Sequence, residues 1–405
     1  MKSTPLRRVL MPSDASNRPD LEVLSVYRDY GVVPKSSRSD NFNKTPEDVS
    51  RYLHVRAGDL VVNKMKAWSG SVAVSSYEGI VSGDYLVCDV GPVVEPRFLH
   101  HLLRSKQLVG EMRIRSLGIR PNQERLYWDD LADIEVLLPD IEEQRRIANF
   151  LDDRVARIDR IIAARDEQRR LLTHSTVARL QELQDEWTEQ FGRTRLGRVL
   201  SGLEQGWSPQ AEATEAGPTE WGVMRAGCVN DGVFRERDNK RLPDGLEPRR
   251  HYELRSGDLL MSRASGSLDK IGNAAVVPEG VRSRLMLCDK VYRLTPAKGW
   301  DPRFIAPMLR THKNRERIRL GVSGAEGMAN NLPSGVVRSL SLPSVPPDRQ
   351  ESCIGVLQTM EREASEAASA LATSTELLAE YKRSLVTAAV TGELDVSTTT
   401  SAIPG

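Results

Sequence analysis

Cysteine is scarce in this chain of 405 residues: Cys88, Cys228, Cys288 and Cys353 are the four, and no two have Cys-x-x-Cys spacing. That count argues against a disulfide framework and against a zinc site. The six histidines are scattered, with His100-His101 the only close pair. Neighbouring residues do not share a helix or strand face, so the pair makes a poor metal site. No run reaches the ~18 consecutive apolar residues of a membrane span, and no apolar signal core follows the N-terminal charges. A cytoplasmic protein with no membrane partner is expected. Chemical signatures are missing too. There is no Gly-x-x-x-x-Gly-Lys-Ser/Thr phosphate loop, no Gly-x-Gly-x-x-Gly turn after a strand, no His-Glu-x-x-His, no Gly-x-Ser-x-Gly and no Asn-Pro-Pro-aromatic. No paired-carboxylate arrangement stands out, so no catalytic residue, metal ligand or directly bound cofactor is assigned. The expectation is a protein that is not an enzyme.

Net charge is also nearly absent, at +1. The average conceals a pattern. Residues 1–140 balance to zero and 141–191 to −2, whereas 192–345 carry +8 and 346–405 carry −5. A basic excess confined to one region suits a nucleic-acid partner but fits an ordinary solvated surface equally well.

What is present is a repeat. Leu6-Arg7-Arg8-Val9-Leu10 returns as Leu196-Gly197-Arg198-Val199-Leu200, an offset of 190. Gly58-Asp59-Leu60 returns as Gly257-Asp258-Leu259, offset 199, and Val87-Cys88-Asp89 as Leu287-Cys288-Asp289, offset 200. Pro96-Arg97-Phe98 with Leu103-Arg104 returns as Pro302-Arg303-Phe304 with Leu309-Arg310 at 206, and Arg113-Ile114-Arg115 as Arg317-Ile318-Arg319 at 204. Matches in one order with slowly drifting offsets indicate two copies of one fold separated by loop insertions. Cys88 and Cys288 occupy matching places in this scheme, as small buried strand residues without a chemical role.

Each copy is followed by a long polar segment with helical apolar spacing. In the second, Leu357, Ala364, Leu371, Leu378 and Leu385 recur every seven residues, with Met360, Ala367, Ser374, Tyr381 and Ala388 three positions on. That is a heptad seam. The first, 141–191, carries Ile147, Leu151, Val155, Ile158, Ile162 and Leu172, and turns charged near Arg165–Arg170. A helix of roughly 45 residues is about 70 Å long and cannot bury one stripe alone in water. Antiparallel pairing of the two within the chain is the simplest solution. The predicted fold is α+β: two duplicated mixed α/β domains, 1–140 and 192–345, joined by two long coiled-coil helices at 141–191 and 346–396. A tail at 397–405 ends the chain.

Two segments carry a family resemblance. Leu138-Pro139-Asp140-Ile141-Glu142-Glu143-Gln144-Arg145-Arg146-Ile147 with Leu151-Asp152 is the first. Tyr381-Lys382-Arg383-Ser384-Leu385-Val386-Thr387-Ala388-Ala389-Val390-Thr391-Gly392-Glu393-Leu394-Asp395 is the second. Together they resemble the central and distal helical regions of specificity subunits of type I restriction-modification systems, and the likeness extends to about residue 396. One departure stands at the distal helix, which opens Val345-Pro346-Pro347-Asp348-Arg349-Gln350-Glu351 where the family usually has a Glu-Gln pair. The resemblance implies that each mixed domain is a target-recognition domain reading half of a split, asymmetric site in double-stranded DNA. It implies that the helix pair fixes the gap and docks two methyltransferase subunits, which bind S-adenosylmethionine and methylate adenine. A restriction subunit with ATP-driven translocation and nuclease activity is a further partner of the family.

Residue chemistry selects the DNA candidates. Arg and Lys neutralise phosphates, and Arg, Asn and Gln make paired hydrogen bonds to purine edges. In the first copy these are Lys64, Lys66 and Trp68 after a strand-like run, then Arg113, Arg115, Arg120, Asn122, Gln123 and Arg125. In the second they are Arg263 and Lys270, then Arg315, Arg317, Arg319, Asn330 and Asn331. A solvated charge or an ion pair is the competing account of each. The competing functions are a duplicated coiled-coil scaffold that binds proteins rather than DNA, and an enzyme with an unfamiliar site. Regional charge predicts more phosphate contacts from the second copy than from the first.

Overall fold

The computed structural model describes residues 2–28, 30–38, 44–118, 124–210, 214–323 and 330–397. Its helices are α1 (Pro96–Leu103), α2 (Lys106–Arg115), α3 (Trp128–Ala132), α4 (Ile141–Phe191), α5 (Leu196–Val199), α6 (Pro302–Met308), α7 (His312–Gly321), α8 (Ser334–Ser339) and α9 (Pro347–Thr391). The chain divides into two compact units. Unit one is Met1–Asp166 with Ala372–Gly405, and unit two is Glu167–Leu371.

Each unit is built on a four-stranded antiparallel sheet of the same order. In unit one the order is Leu10–Pro12, Tyr85–Val90, Leu60–Asn63, Val72–Val74. In unit two it is Leu200–Gln205, Val291–Pro296, Leu259–Ser262, Ala274–Val276. The central strands are continuous apolar runs because both of their faces are covered. Leu60 and Val62 face one core and Val61 another, just as Leu259 and Met261 face one core and Leu260 another. A second pairing closes each unit: Lys2–Pro5 with Glu135–Leu138, and Arg193–Arg195 with Ser341–Pro343. The smaller sheets differ. Unit one has two two-stranded pairs, whereas unit two has a three-stranded sheet of Asn239–Arg241, Gly222–Met224 and Leu285–Met286.

Strand register corrects the repeat. Leu60 pairs with Cys88, and its counterpart Leu259 pairs with Leu294. The residue equivalent to Cys88 is therefore Leu294, 206 positions on. Cys288 instead corresponds to Ser82: Tyr85 N–H bonds the Ser82 carbonyl as Val291 N–H bonds that of Cys288. Offset 204 fails likewise. α2 starts at its cap Ser105 and α7 at Thr311, so the buried Met112 answers to the buried Ile318. Ile114 answers to Leu320, and both are strongly exposed, at 76% and 83%. Tripeptide likeness misled at both places, because burial and pairing fix equivalence while short identities arise by chance. The matches at 190, 199 and 206 stand.

The long helices lie antiparallel within each unit. In unit one the first half of α4 (Ile147, Leu151, Ile158, with Ile162 partly buried) shares a core with Leu378, Leu385, Val386, Ala389 and Val390 of α9. The Lys382 ammonium reaches Asp159 at 2.6 Å. In unit two Leu180, Leu183 and Trp187 of α4 share a core with Cys353, Ile354, Leu357 and Met360 of α9. Along the rest of the seam, Leu172, Ala364 and Leu371 are only half-buried. Both helices end on a glycine in the left-handed region, Gly192 at φ 81° and Gly392 at φ 78°, where a side chain would be strained.

One glutamine fastens each unit to its long helix. The Gln144 Oε1 accepts from Glu95 N–H at 2.9 Å, and its Nε2 donates to the carbonyls of Val93 and Pro139 at 3.2 and 3.0 Å. Gln350 does the same 206 positions later, with Asp301 N–H at 2.9 Å and the Gly299 and Val345 carbonyls at 2.9 and 3.1 Å. The unusual opening of the distal helix thus keeps the glutamine of the family pattern. The glutamate before it is what the second opening loses, with Arg349 in the place of Glu143.

Candidate nucleic-acid interface

In unit one the candidates gather where the strand Leu60–Asn63 leaves the sheet. Met65 N–H bonds Asn63 Oδ1 at 3.0 Å and the Trp68 indole N–H bonds the Met65 carbonyl at 3.0 Å, so the turn is closed by its own groups. Trp68 is therefore a strut of the turn as well as a surface ring. Lys66 is exposed and Lys64 half-buried. Leu126 N–H bonds the Lys64 carbonyl at 2.9 Å, which brings the segment after α2 onto the same turn. Arg125, bridged to Leu117, reaches Asp84 at 3.4 Å and the Met65 sulfur at 3.8 Å. Arg115 pairs with Glu111 at 2.6 Å, whereas Arg113 is exposed and has no side-chain partner among the described residues. Arg120, Asn122 and Gln123 lie outside the described residues.

Unit two repeats the plan with different contacts. Leu332 N–H bonds the Arg263 carbonyl at 2.9 Å, the counterpart of the Leu126–Lys64 bond. Asn330 and Asn331 pair with Ser265 and Ala264 as a short ladder, and Asn331 also bridges Ser323. Arg263 lies over the Tyr292 ring, 5.9 Å from its centre, and donates to the Asp289 carbonyl at 3.2 Å. Lys270 is exposed on the turn Leu268–Lys270. The three α7 arginines part company. Arg319 pairs with Asp269 at 2.7 Å, and Arg315 bonds backbone carbonyls of the same turn. Arg317 donates to the Ser339 carbonyl at 2.7 Å and lines a separate cleft of about 490 Å³ with Asp185, Lys313 and Leu320.

Two fastening residues escaped the sequence reading. Arg104 donates to the carbonyls of Arg28 and, at 3.5 Å, Val72. Its counterpart Arg310 donates to the Asp231 carbonyl at 3.2 Å and pairs with Glu361. The repeated Leu103-Arg104 and Leu309-Arg310 were the available signal. No helix among the described residues is long and apolar enough to cross a membrane, and none of their His, Cys, Asp and Glu side chains form a group able to hold a metal ion.

No family model matches the chain. Over 101 residues, 24% of this chain and 16% of the relative, it is 40% identical to the type I restriction enzyme EcoEI specificity subunit of Escherichia coli. Over 219 residues, 51% of this chain and 46% of the relative, it is 24% identical to the EcoKI specificity subunit of Escherichia coli strain K12. Over these segments the chain is similar to type I restriction specificity subunits. Its matches thus span less than half the length of these curated relatives. The fold agrees with that of a chain solved in a study of complex assembly and conformational transition of the type I R-M system. That chain has TM-score 0.64 and 16% identity over 97% of this chain and 98% of its own length.

Proposed function

We propose that this chain reads a bipartite, asymmetric DNA site without performing chemistry on it, each unit contacting one half. The observation that carries this reading is a shared arrangement. In both units a cation-bearing turn after the central strand, the end of the second short helix and a bridged segment meet through the same backbone bond. Lys64, Lys66, Arg113 and Arg125 supply the charge in unit one, and Arg263, Lys270 and Arg319 in unit two. α4 and α9 dock two methyltransferase subunits, which carry S-adenosylmethionine and methylate adenine; a restriction subunit joins the assembly. The test is co-expression with a type I methyltransferase subunit, followed by duplex-DNA binding across salt concentrations. A complex holding two methyltransferase copies, whose affinity falls steeply with salt, is expected. A well-behaved monomer that ignores the methyltransferase, or an assembly indifferent to duplex DNA, would leave the protein-binding scaffold as the better account.

A further inference from the structure

Arg315 stands four residues after the α7 cap, where its N–H bonds the Thr311 carbonyl at 2.9 Å. Its guanidinium lies on the segment 266–272. Nη1 donates to the Ile271 carbonyl, and Nη2 donates to those of Leu268 and Asp269 at 3.3 and 3.0 Å. One helical turn on, Arg319 holds the Asp269 carboxylate. Ile271 is fully buried, and Gly272, at φ +74°, lies so close to α7 that a Cβ there would come within 2.6 Å of Ile318. Lys270 is left exposed with no side-chain partner among the described residues.

Unit one holds its turn differently. Four residues after the α2 cap stands Val109, whose N–H bonds the Ser105 carbonyl at 3.0 Å. Gly70 packs against it, and the turn bonds are internal: Lys66 N–H to the Asn63 carbonyl at 3.0 Å, and the Trp68 indole to Met65. The second turn has internal bonds as well, Lys270 N–H to the Ser267 carbonyl at 3.2 Å, Ile271 N–H to that of Leu268 at 3.3 Å and the Asn273 Nδ2 to that of Asp269 at 3.5 Å. Its Ile271 carbonyl, by contrast, takes its donor from α7, the guanidinium of Arg315. Arg315 is half-buried, and that burial pulls its pKa below the ordinary value.

We propose that Arg315 is a positioning residue for DNA binding: it holds the carbonyls of Leu268, Asp269 and Ile271 so that Lys270 meets a phosphate, and it neutralises none itself. This rests on the DNA-reading function proposed above. Lysine cannot replace it, because one ammonium lacks the planar fork that serves three carbonyls at once.

The experiment uses the full chain assembled with its methyltransferase partner and a duplex carrying the site mapped from methylated adenines. The slope of log affinity against log salt is compared for wild type, K270A, R315V, R315K and the doubles R315V/K270A and R315K/K270A. Each lost phosphate contact flattens the slope by about 0.9. The expected result is that K270A, R315V and R315K each flatten it by about that amount and that neither double flattens it further. R315K carries the decision if R315V fails to assemble. The proposal is overturned by a wild-type slope in R315K, by losses that add in the doubles, or by a K270A slope that does not change. A wild-type assembly with no salt dependence would defeat the DNA reading itself, before any variant is compared.

Discussion

Gln144 and Gln350 each sit among three backbone groups that no neighbouring side chain serves, at 1% and 3% exposure. Removing the amide leaves a buried N–H and two carbonyls without partners, and an unpaired buried group costs about 1–3 kcal/mol. Q144A or Q350A should therefore lower unfolding free energy by about 2–3 kcal/mol, read from urea denaturation of the assembled protein. A change within about 0.5 kcal/mol, the size of a neutral surface substitution, would mean that water replaces the amide at no cost. The cysteines give a second check. Burial pushes the thiols of Cys88 and Cys288 up to about 12, and that of Cys228 higher still. At pH 8 the reactive thiolate is then nearly absent, whereas an unfolded thiol near 8.5 supplies a substantial fraction. A thiol reagent should leave these three unmodified in the native protein and label all four cysteines in denaturant. Rapid native labelling of Cys88 would show that its strand opens.

At the scale of elements, α2 and α7 end in arginines that look interchangeable and are not. Arg113 is exposed and without a side-chain partner among the described residues, while Arg317 is bonded to the Ser339 carbonyl. R113A should flatten the salt dependence of DNA binding by about one contact. R317A should leave the slope unchanged and lower the melting temperature instead. If R317A flattened the slope and R113A did not, regional charge would be the better guide. This contrast marks the limit of what could be read from the chain alone. The order strand, short helices, long helix was legible because apolar periodicity is imposed by burial. The antiparallel pairing of α4 and α9 followed from two unpartnered stripes in one chain. Register was not legible: Arg113-Ile114-Arg115 and Arg317-Ile318-Arg319 look alike, yet Ile114 is exposed and Ile318 buried. Nor could sequence show that the place of Val109 is taken by Arg315, since a carbonyl short of donors is visible only in three dimensions. The smaller sheets, which differ between the units, left no common pattern to detect.

For the molecule as a whole, the ruler role proposed for the continuous helices concerns the gap between the two proposed half-sites. α4 spans 51 residues and α9 spans 45, and each contributes one half to unit one and the other to unit two. If they set that gap, lengthening both by one heptad changes it in a calculable way. Seven residues inserted near Arg165 and seven near Leu371 preserve the seam and add about 10 Å. At 3.4 Å per base pair this is roughly three base pairs. Three base pairs also rotate the duplex by about 100°, because one turn takes ~10 to 10.5 of them. The native site should then bind much more weakly, since the second half-site presents the wrong face of its groove. Selection from a library with random spacers should recover binding at sites with the same two half-sequences and a changed gap. Inserting seven residues in α4 alone shifts one seam against the other and should destabilise the protein without yielding a new spacing. If the doubly lengthened protein kept its original spacing and affinity, the gap would be set by the recognition units and their partners. Of the roles proposed for the helices, only the docking of methyltransferase subunits would then remain.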